Sequence, residues 1–565
     1  MAAAQNTQTH QSASPVYEAR RITSADQELW NASADVIVVG WGCAGASAAL
    51  EAREQGLEVT VLERFEGGGA SRLSGGIVYA GGGTPYQKAA GYEDSVDNMF
   101  AYLKKENQGV VSDATLRQFC EQSAGNLAWL EQNGARYEAS YLKVKTSYPP
   151  KDKFFYYSGN EAVPAYRTAG FAPVPRGHRT YGANMSGEAL MDALQAATRS
   201  SGTKVMTQTV VRRLVVDAAG AVVGVECYQL PAGHPQTLRH QKLSASIPNW
   251  RNIAPPLAQK KRNEQAQIEE ALIASGAAKP QLIRARKGVV LATGGFIFNL
   301  DMVAQHAPHF SQAFLLGTAG CDGSGIRLGQ SIQGTTGQMH NFSGWRFITP
   351  PVVWPRGIVV NTQGARFCNE QVYGERLGHE MMEHQGGKAW LILDKRLLRS
   401  AWRECVTGGW WYFQWLPAML SMLLAKKAAT PEALAAKIGA DPGTLRREID
   451  AYNAAAAAPS GDELQPSDPQ GKAPDMCQAL DAAPYYAVDI SVTSPTLPMA
   501  AITLGGLKVS EESGRVLTAN GAEIQGLYAV GRAAVGIPSA RYISGLSLAD
   551  CVFSGRRAAR HAAGH

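Results

Sequence analysis

At 565 residues the chain is too long for a single hydrophobic core, and its length favours about two to four domains. Its 54 basic and 48 acidic residues give a net charge of +6 that is spread along the chain, which argues against a nucleic-acid-binding protein. The eight cysteines stand singly, without the spacing of a metal site or a redox pair, and residues 1–34 are polar and lack the apolar core of a secretory signal. We therefore expect a cytoplasmic protein with no metal site and no nucleic-acid partner.

A dinucleotide-binding motif opens the first predicted domain. An apolar strand runs from Val36 to Val39, a glycine-rich turn and a helical stretch follow, and a second strand ends at Glu63. In the turn, Gly40 permits the tight bend, Gly42 lets the backbone approach a pyrophosphate, and Gly45 lets the helix pack closely on the strand. The N-terminus of that helix would face the phosphates, and Glu63 could accept hydrogen bonds from ribose hydroxyls.

Strand and helix patterns alternate as far as about residue 333. Strands are predicted over Val210–Val216 and Val222–Tyr228, joined as a hairpin, and a short buried strand over Lys287–Leu291. Between them, residues 231–280 are polar and basic. We interpret them as an insertion with one helix over Leu257–Ala274, and we expect the fold to tolerate its removal.

The composition changes between about residues 334 and 500, which we interpret as a second domain. It contains an uncharged apolar segment, residues 408–425, which is interrupted by Pro417 and followed by Lys426 and Lys427. The segment is at the short limit of a membrane span, and its order of Trp, then Leu and Met, then Lys is typical of a helix in a membrane interface. A buried helix lining a large apolar pocket, or an oligomer contact, fits equally well.

The end of the chain returns to the first pattern. A strand over Gly526–Gly531 ends in a glycine turn, and a helix is predicted over Ser547–Ala563. These elements complete the domain that the N-terminal part began. The predicted organisation is a tail at residues 1–34, a nucleotide-binding domain in two parts at residues 35–333 and 501–565, and an inserted domain at residues 334–500.

Several further glycine clusters carry a resemblance to a known family. In chain order they are Gly67–Ser71, Ser74–Gly76, Ala292–Gly295, Asp322–Gly325, Gly357–Asn361 with Arg366–Glu370, and Gly531 with Gly545–Leu548. With them the chain resembles the flavoprotein family that contains soluble fumarate reductases, the succinate dehydrogenase flavoprotein and the 3-ketosteroid dehydrogenases. The resemblance implies an α/β protein with a discontinuous Rossmann-like FAD-binding domain, an inserted α+β catalytic or cap domain, and an active site between the two.

The resemblance also implies how FAD is held. In succinate dehydrogenase a histidine near the second glycine cluster carries FAD covalently, and the stretch Arg72–Gly76 has no histidine, so we expect non-covalent FAD. Arg532 stands where many relatives have a glutamate. The residues predicted to bind the cofactor are Gly40, Gly42, Ala44, Gly45, Glu63, Arg64, Gly69, Ala70, Ser71, Ser74, Gly75, Gly76, Val211, Ala292, Thr293, Gly294, Asp322, Gly531, Arg532, Ser547 and Leu548.

Two tyrosines occupy positions at which the dicarboxylate enzymes of this family carry arginines. Tyr542 fills the arginine position before the final helix, and Tyr373 lies at or next to the catalytic arginine position after the pair Asn369–Glu370. An arginine binds a carboxylate bidentately, whereas a phenol donates one neutral hydrogen bond or, once deprotonated, acts as a base. The exchange favours a ketone substrate whose α-proton is removed.

The sequence around the tyrosines matches the Δ4-(5α) group of 3-ketosteroid dehydrogenases. The shared motifs are Tyr542–Ser547 and Gly81–Ala89, and the chain departs from the group in having Arg541 where a glycine is usual. The resemblance therefore implies an FAD-dependent oxidoreductase of CH–CH groups that introduces or reduces the Δ4 bond of a 3-ketosteroid. The C5 hydride would pass to flavin and the C4 proton to a relay of Tyr373, Tyr542 and Ser544. We assign Tyr542 mainly to the carbonyl oxygen and Tyr373 mainly to proton removal, although the two roles could be exchanged.

Other functions stay open at this point. They are a 3-ketosteroid Δ1-dehydrogenase, a fumarate-reductase-like flavin reductase of another activated alkene, and a membrane-associated flavin-binding module without catalysis. The sequence assigns no electron acceptor. A cytoplasmic protein with peripheral contact to the inner face of the membrane through residues 408–425 remains an alternative to a protein free of membrane.

Overall fold

A computed structural model of the chain describes residues 13–183, 185–250, 254–458, 464 and 466–564. Residues 1–12 of the predicted tail and residues 251–253 of the predicted insertion lie outside the described residues. In the described part, the α-helices are α1 (Cys43–Glu54), α2 (Gly69–Arg72), α3 (Pro85–Ala89), α4 (Val96–Asn107), α5 (Asp113–Gln132), α6 (Gly187–Ser200), α7 (Pro235–Trp250), α8 (Pro255–Ala274), α9 (Leu300–His306), α10 (Ser324–Gln330), α11 (Gly374–His384), α12 (Lys395–Thr407), α13 (Tyr412–Leu423), α14 (Pro431–Ile438), α15 (Pro442–Ala457) and α16 (Leu546–Ala563).

The strands fall into one large sheet and several small ones. Their bounds are β1 (Arg20–Arg21), β2 (Ala32–Val39), β3 (Val59–Leu62), β4 (Ile77–Tyr79), β5 (Tyr141–Leu142), β6 (Phe155–Tyr156), β7 (Gly177–Arg179), β8 (Lys204–Met206), β9 (Thr209–Val216), β10 (Val222–Gln229), β11 (Pro280–Leu291), β12 (Phe314–Leu315), β13 (Thr336–Gly337), β14 (Phe342–Trp345), β15 (Ile358–Val360), β16 (Trp390–Leu393), β17 (Lys426–Ala428), β18 (Tyr485–Asp489), β19 (Ala500–Thr503), β20 (Gly506–Leu507), β21 (Arg515–Leu517) and β22 (Glu523–Ala529).

The large sheet joins the beginning and the end of the chain. Its strand order is β1-β9-β10-β11-β2-β3-β8, and β22 pairs with β11 and with β21. Strands β2, β3 and β8 are parallel, and β11 runs parallel to both β2 and β22. The last strand, β22, therefore lies in the sheet that β2 begins.

Both faces of this sheet are covered. Val36 and Val38 belong to one hydrophobic core, and Ile37 and Val39 belong to the other. Burial on both faces explains why β2 is a continuous apolar run, as in parallel sheets flanked by helices. Helix α16 packs along α1, and the contact is close because Gly555 has no side chain, since a Cβ there would lie 2.7 Å from the carbonyl oxygen of Ala44.

Two smaller sheets frame the remainder of the structure. The antiparallel sheet β15-β16-β18-β17 lies within residues 358–489, together with helices α11 to α15. The sheet β4-β7-β6-β5 is built from residues 77–179 and holds Tyr156. The core that contains Ile37 continues into the first of these sheets through Val359 and Ile392.

The predicted N-terminal tail differs from expectation. Arg20 and Arg21 form β1, which pairs in parallel with β9 at the edge of the large sheet. Ser14 is buried, and its backbone N–H donates to the carboxylate of Asp322 at 3.1 Å. The part of the tail that the structure describes is thus packed against the sheet, and the pairing arises from a strand too short to be recognised in the sequence.

The predicted insertion contains a helix that the sequence did not reveal. Helix α8 includes the predicted helix, but α7 precedes it and the two pack as a hairpin. The buried residues of α7 are Thr237, His240, Leu243 and Ile247. They have helical spacing, but two of the four are polar, so the apolar pattern alone was too weak to predict a helix. The strand predicted at Lys287–Leu291 is also longer, because β11 begins at Pro280.

The apolar segment at residues 408–425 forms the short helix α13, with Pro417 inside it. None of the helices in the described part of the chain combines the length and the apolar character that crossing a bilayer requires.

Candidate active site

A cavity of about 1010 Å³ lies at the carboxyl ends of β2, β3 and β11, where parallel strands of this kind bind nucleotides. Its walls include Gly40 and Gly42 after β2, Glu63 after β3, and Thr293 after β11. The cavity is therefore formed by the loops that follow the strands of the large sheet.

The turn after β2 needs its three glycines for different reasons. Gly40 has φ +101°, and a Cβ there would lie 2.7 Å from the carbonyl oxygen of Ala292. A Cβ on Gly45 would lie 2.0 Å from the carbonyl oxygen of Gly40. In contrast, the nearest heavy atom that a Cβ on Gly42 would meet among the described residues is the Ser71 hydroxyl oxygen at 3.6 Å, so this position opens onto the cavity. The turn is built as the sequence predicted, with α1 beginning beside it.

Glu63 and Arg64 form the next part of the wall. The carboxylate of Glu63 accepts hydrogen bonds from the backbone N–H groups of Trp41 at 2.7 Å and Phe65 at 2.9 Å. Burial raises the pKa of Glu63 above its usual value, although both N–H groups oppose this. The guanidinium of Arg64 pairs with Glu269 at 2.8 Å and with Asp322 at 3.0 Å. Both side chains are thereby held in place at the cavity.

Most of the predicted cofactor-binding residues line this cavity. They are Gly40, Gly42, Ala44, Glu63, Arg64, Gly69, Ala70, Ser71, Val211, Ala292, Thr293, Gly294 and Arg532. Ser71 also accepts a hydrogen bond from the backbone N–H of Cys43 at 3.2 Å, which connects α2 to the first turn of α1. The remainder of the predicted set is not part of the cavity lining: Gly45, Ser74, Gly75, Gly76, Asp322, Gly531, Ser547 and Leu548.

Several of the residues outside the lining have packing and hydrogen-bonding contacts of their own. A Cβ on Gly75 would lie 2.5 Å from the ring of Tyr148, and a Cβ on Gly76 would lie 2.3 Å from the backbone of Ser186. Asp322 pairs with Arg64, and Ser74 caps its own turn through the carbonyl of Ser71 at 2.7 Å. Their close contacts shape the loops that carry the lining residues.

The cavity fits the FAD that the sequence predicts. One nitrogen of the Arg532 guanidinium, Nη1, is buried with no hydrogen-bond partner among the described residues, and Arg532 lines the cavity. A buried donor without a partner is costly, and a cofactor carries oxygen acceptors that could satisfy it. Together with the open position at Gly42, this donor makes the site suitable for a large anionic cofactor.

Tyr373 lies at the start of α11, where it is the N-terminal flanking residue of the helix. Its backbone N–H donates to the side-chain oxygen of Asn160 at 2.5 Å, and its ring packs edge-on against Phe347 at a centroid distance of 5.4 Å. Burial, together with the nearby Tyr542 and Tyr156, raises the pKa of Tyr373 well above its usual value, while the nearby Ser544 hydroxyl acts to lower it.

Tyr542 lies in the loop before α16, and its ring centroid is 6.5 Å from that of Tyr373. The ring stacks on Trp345 at 5.4 Å. Burial raises the pKa of Tyr542 to about 12, and the positive charge of Arg532 and the backbone N–H of Gly545 both act to lower it. Two tyrosines that are far apart in the sequence are thus brought together, and Arg532, which lines the cavity, is near enough to Tyr542 to act on its pKa.

Ser544 lies next to a tyrosine that the sequence did not single out. Its hydroxyl is 3.3 Å from the hydroxyl of Tyr156 on β6, and it is near enough to Tyr373 to act on the pKa of that phenol. Tyr156 is fully buried in a cluster with Ile77, Tyr148 and Trp411. The site therefore holds four hydroxyl groups, and the fourth could not be found from a motif because β6 has only two residues.

Arg541 points away from the tyrosines. Its guanidinium lies 2.8 Å from the imidazole Nε2 of His379 and donates to its neighbouring carbonyl, Ala540, at 3.1 Å. It also faces Glu375, whose pKa burial raises to about 8 while Arg541 acts to lower it. The departure from the family motif at this position thus adds a cation beside a buried carboxylate and not beside the phenol of Tyr542.

The apolar segment also contributes to the site. Trp411, Tyr412 and Phe413, at the start of α13, line the large cavity, as do residues of α7 and α8. The predicted alternative of a helix that lines an apolar pocket therefore holds for the first residues of this segment. The lining by α7 was not predicted, because the helix itself was missed.

Comparisons with known proteins agree with this site. The family model of the FAD binding domain matches residues 35–548. The chain is 45% identical over 525 residues to the 3-oxo-5-alpha-steroid 4-dehydrogenase of Comamonas testosteroni, and the match covers 92% of this chain and 96% of that protein.

Other relatives are more distant. The crystal structure of the 3-ketosteroid-Δ4-(5α)-dehydrogenase of Rhodococcus jostii RHA1, in complex with 4-androstene-3,17-dione, aligns with a TM-score of 0.77 at 29% identity and covers 97% of this chain and 100% of that one. A probable fumarate reductase of Shewanella frigidimarina is 26% identical, over 94% of this chain and 75% of that protein.

Proposed function

This chain belongs to the family of FAD-binding flavoproteins, and on that premise we propose that it is an FAD-dependent 3-ketosteroid dehydrogenase that acts on the Δ4 bond. The similarity to the Comamonas relative and the paired tyrosines in place of carboxylate-binding arginines support this assignment. In this proposal residues 35–333 and 501–565 form the FAD-binding domain and residues 334–500 the catalytic domain. Tyr373 then comes from one domain and Tyr542 from the other.

FAD would be held without a covalent bond by the residues that line the cavity, with Gly42 and the N-terminus of α1 at the pyrophosphate and Glu63 at a ribose. Bound FAD supplies the hydride-accepting chemistry for the oxidation of a CH–CH bond. The chain's own part in the reaction is to hold the steroid ketone and to move one proton.

Tyr542 is suited to hold the ketone oxygen. A pKa near 12 keeps its phenol protonated at neutral pH, so it can donate a hydrogen bond to the C3 carbonyl. The backbone N–H of Gly545 and the charge of Arg532 both favour negative charge on this phenol. As the carbonyl gains enolate character, these two groups stabilise the charge that develops.

Tyr373, Ser544 and Tyr156 are suited to move the C4 proton. Because burial keeps the pKa of Tyr373 high, its phenol is a poor base unless its own proton is passed on. In this proposal Ser544, which lies near Tyr373 and 3.3 Å from the hydroxyl of Tyr156, takes part in passing that proton on. The pairing of Tyr373 with Tyr542, whose ring centroids are 6.5 Å apart, is the observation that carries the proposal.

The direct experiment is anaerobic mixing of the holoenzyme with a saturated 5α-3-ketosteroid. We expect the flavin to bleach, and we expect Tyr542→Phe to slow the bleaching by ~100-fold or more, since the ring stays on Trp345 while the hydroxyl is lost. Tyr181→Phe, at an exposed tyrosine, is the control and should behave as wild type. A flavin that stays oxidised with several such steroids would overturn the assignment.

The position of the new double bond separates the two steroid activities. A Δ4 product supports the proposal, whereas a Δ1 product would place the chain with the 3-ketosteroid Δ1-dehydrogenases. Reoxidation of the reduced flavin by fumarate would instead favour a reductase of activated alkenes. Product identification by NMR distinguishes these outcomes.

We further propose that the protein contacts a membrane surface through α13. Tyr412, Leu416, Leu420, Leu423 and Leu424 are exposed along one stripe of this helix, and Lys426 and Lys427 follow it. An apolar stripe next to lysines fits the boundary between acyl chains and anionic headgroups. The start of the same helix lines the cavity, which would bring a membrane-dissolved steroid close to the site. In this proposal the protein is a peripheral one on the inner face of the membrane, and its electron acceptor is an oxidant yet to be identified.

A further inference from the structure

The hairpin of α7 and α8 forms one wall of the large cavity. Ala245, Ile247 and Pro248 of α7 and Arg262 and Gln265 of α8 line it, opposite the turn that carries Gly40 and Gly42. The two helices have a small core of their own, with Leu243 and Ile268 among its buried residues. The hairpin is thus a compact unit whose inner face forms part of the cavity surface.

The hairpin is attached to the cavity wall by a buried carboxylate. Glu269 of α8 is 1% exposed, and it pairs with Arg64 at 2.8 Å and with Arg212 of β9 at 2.8 Å. Burial acts to raise the pKa of Glu269, but the two guanidinium groups hold it below its usual value. Arg212 is fully buried and also pairs with the part-exposed Glu270, so Glu269 is the buried one of its two counter-charges, and its loss would leave the exposed one alone.

A second attachment joins α7 to the residues beside Glu63. The ring of His240 stacks on Phe65 at a centroid distance of 5.7 Å, and its Nδ1 lies 2.6 Å from the side-chain oxygen of Gln208. Burial lowers the pKa of His240 to about 4, so the ring is neutral and can donate this hydrogen bond. Phe65 donates its backbone N–H to the Glu63 carboxylate at 2.9 Å. The hairpin therefore covers the end of the cavity where Glu63 lies.

We propose that the α7–α8 hairpin is a clamp that covers the adenosine end of the bound cofactor and sets how long FAD stays bound. The ion pairs of Glu269 with Arg64 and Arg212 hold this clamp closed. The inference rests on the proposed function only in that the cavity holds FAD. The apolar side chains of Ala245, Ile247 and Pro248 exclude water from that end of the cavity, and opening the clamp requires the separation of Glu269 from both arginines.

The test measures FAD release from the purified holoenzyme by the rise of flavin fluorescence after dilution. Glu269→Gln should release FAD at least ~10-fold faster than wild type, because one partner of a buried ion pair is neutralised. Glu264→Gln is the matched control, since Glu264 lies on the same helix and pairs with Arg239 at the surface of the hairpin. It should release FAD at the wild-type rate.

A second variant and a second measurement distinguish loss of the clamp from misfolding of the Glu269→Gln protein as the cause of faster FAD release. Ile247→Ala leaves the ion pairs intact and should also speed FAD release, because it removes part of the apolar wall. Limited proteolysis of the hairpin should be slower in the holoenzyme than in the apoprotein, since FAD binding favours the closed position of the hairpin. Wild-type release rates in both variants, with equal proteolysis of apoprotein and holoenzyme, would overturn the clamp. A protein that retains FAD but oxidises no steroid would overturn the proposed function and leave the clamp standing.

Discussion

The hydroxyl oxygen of Ser544 lies 3.3 Å from that of Tyr156, a residue 388 positions earlier in the chain. Ser544 also lies near Tyr373, where it acts to lower the pKa of that phenol, so one serine hydroxyl is close to two buried phenols. Burial raises the pKa of Tyr156 above its usual range, while the bond to Ser544 lowers it. The pair forms the inner end of the proposed proton path.

Tyr156→Phe should therefore slow the proton step without displacing the steroid. Ser544 would lose one hydrogen-bond partner, and we expect flavin reduction by a saturated 3-ketosteroid to slow by ~10-fold or more, with KM little changed. The measurement is stopped-flow absorbance of the flavin band. Tyr157→Phe is a control at the adjacent residue, whose hydroxyl donates to the carbonyl of Pro173 at 3.0 Å. Equal reduction rates in both variants and wild type would contradict the role of Tyr156.

Gly545→Ala should damage both stability and activity. Gly545 has φ +92°, and a Cβ there would lie 2.7 Å from the backbone nitrogen of Tyr79 and 2.8 Å from the side chain of Ile77. Strain and clash should lower the free energy of unfolding by about 2–4 kcal/mol and shift the N–H that supports Tyr542. The measurements are urea unfolding and the flavin reduction rate.

The control for this change is Gly564→Ala. Gly564 also has a positive φ, +103°, but no heavy atom of the described residues lies within 4 Å of the position that its Cβ would take. The substitution should cost about 1 kcal/mol and leave the reduction rate unchanged. If the two alanine variants unfold at the same urea concentration, the close contacts of Gly545 do not explain why this position needs a glycine.

The sequence was sufficient for the part of the large sheet that forms the cofactor cavity, because its signals are local. The apolar run of β2, the glycine turn and Glu63 lie within 28 residues and define one strand, one helix and one cofactor wall. Helix α7 was missed because two of its four buried residues, Thr237 and His240, are polar. His240 is accommodated only by tertiary contacts with Phe65 and Gln208, which no local pattern contains.

The candidate site shows the same difference between residues with a local sequence signal and residues placed only by tertiary contacts. Tyr373 and Tyr542 could be proposed because each stands in a motif position of the family. Tyr156 could not, since it is one of 20 tyrosines and lies beside Ser544 only through a tertiary contact, in which Ser544 donates its backbone N–H to the carbonyl of Ser158 at 3.2 Å. The direction of Arg541 was likewise open, because a sequence position does not say whether a long side chain points to a phenol or to His379.

Glu375 should make stability depend on pH. Its carboxyl group is buried near Tyr373, and the backbone N–H of Tyr542 and the charge of Arg541 act to lower its pKa. Burial raises its pKa to about 8 from a usual 4.5, so between these two values the folded protein binds a proton that the unfolded chain has released. The contribution of Glu375 to stability must therefore fall as pH rises from about 4.5 to 8.

Glu375→Gln isolates this contribution, because the amide resembles the protonated acid and does not titrate. The melting temperature of wild type minus that of Glu375→Gln should decrease steadily between pH 5 and pH 8. Glu380→Gln, on the same helix at a half-exposed residue, should differ from wild type by a more nearly constant amount. A pH-independent difference for Glu375→Gln would mean that the buried carboxyl is ionised throughout.

Membrane contact through α13 predicts a specific loss of vesicle binding. Leu423 is 66% exposed and Leu416 43% exposed, and each leucine inserted into the interface should contribute about 1–2 kcal/mol. The double variant Leu416→Glu/Leu423→Glu should reduce flotation with phosphatidylglycerol-containing vesicles by ~10-fold or more, because charged groups oppose insertion. Leu238→Glu, at a leucine of α7 that is 46% exposed, should float like wild type. If wild type does not float but the double variant changes the oligomeric state in size-exclusion chromatography, the stripe contacts a second copy of the chain and not a membrane.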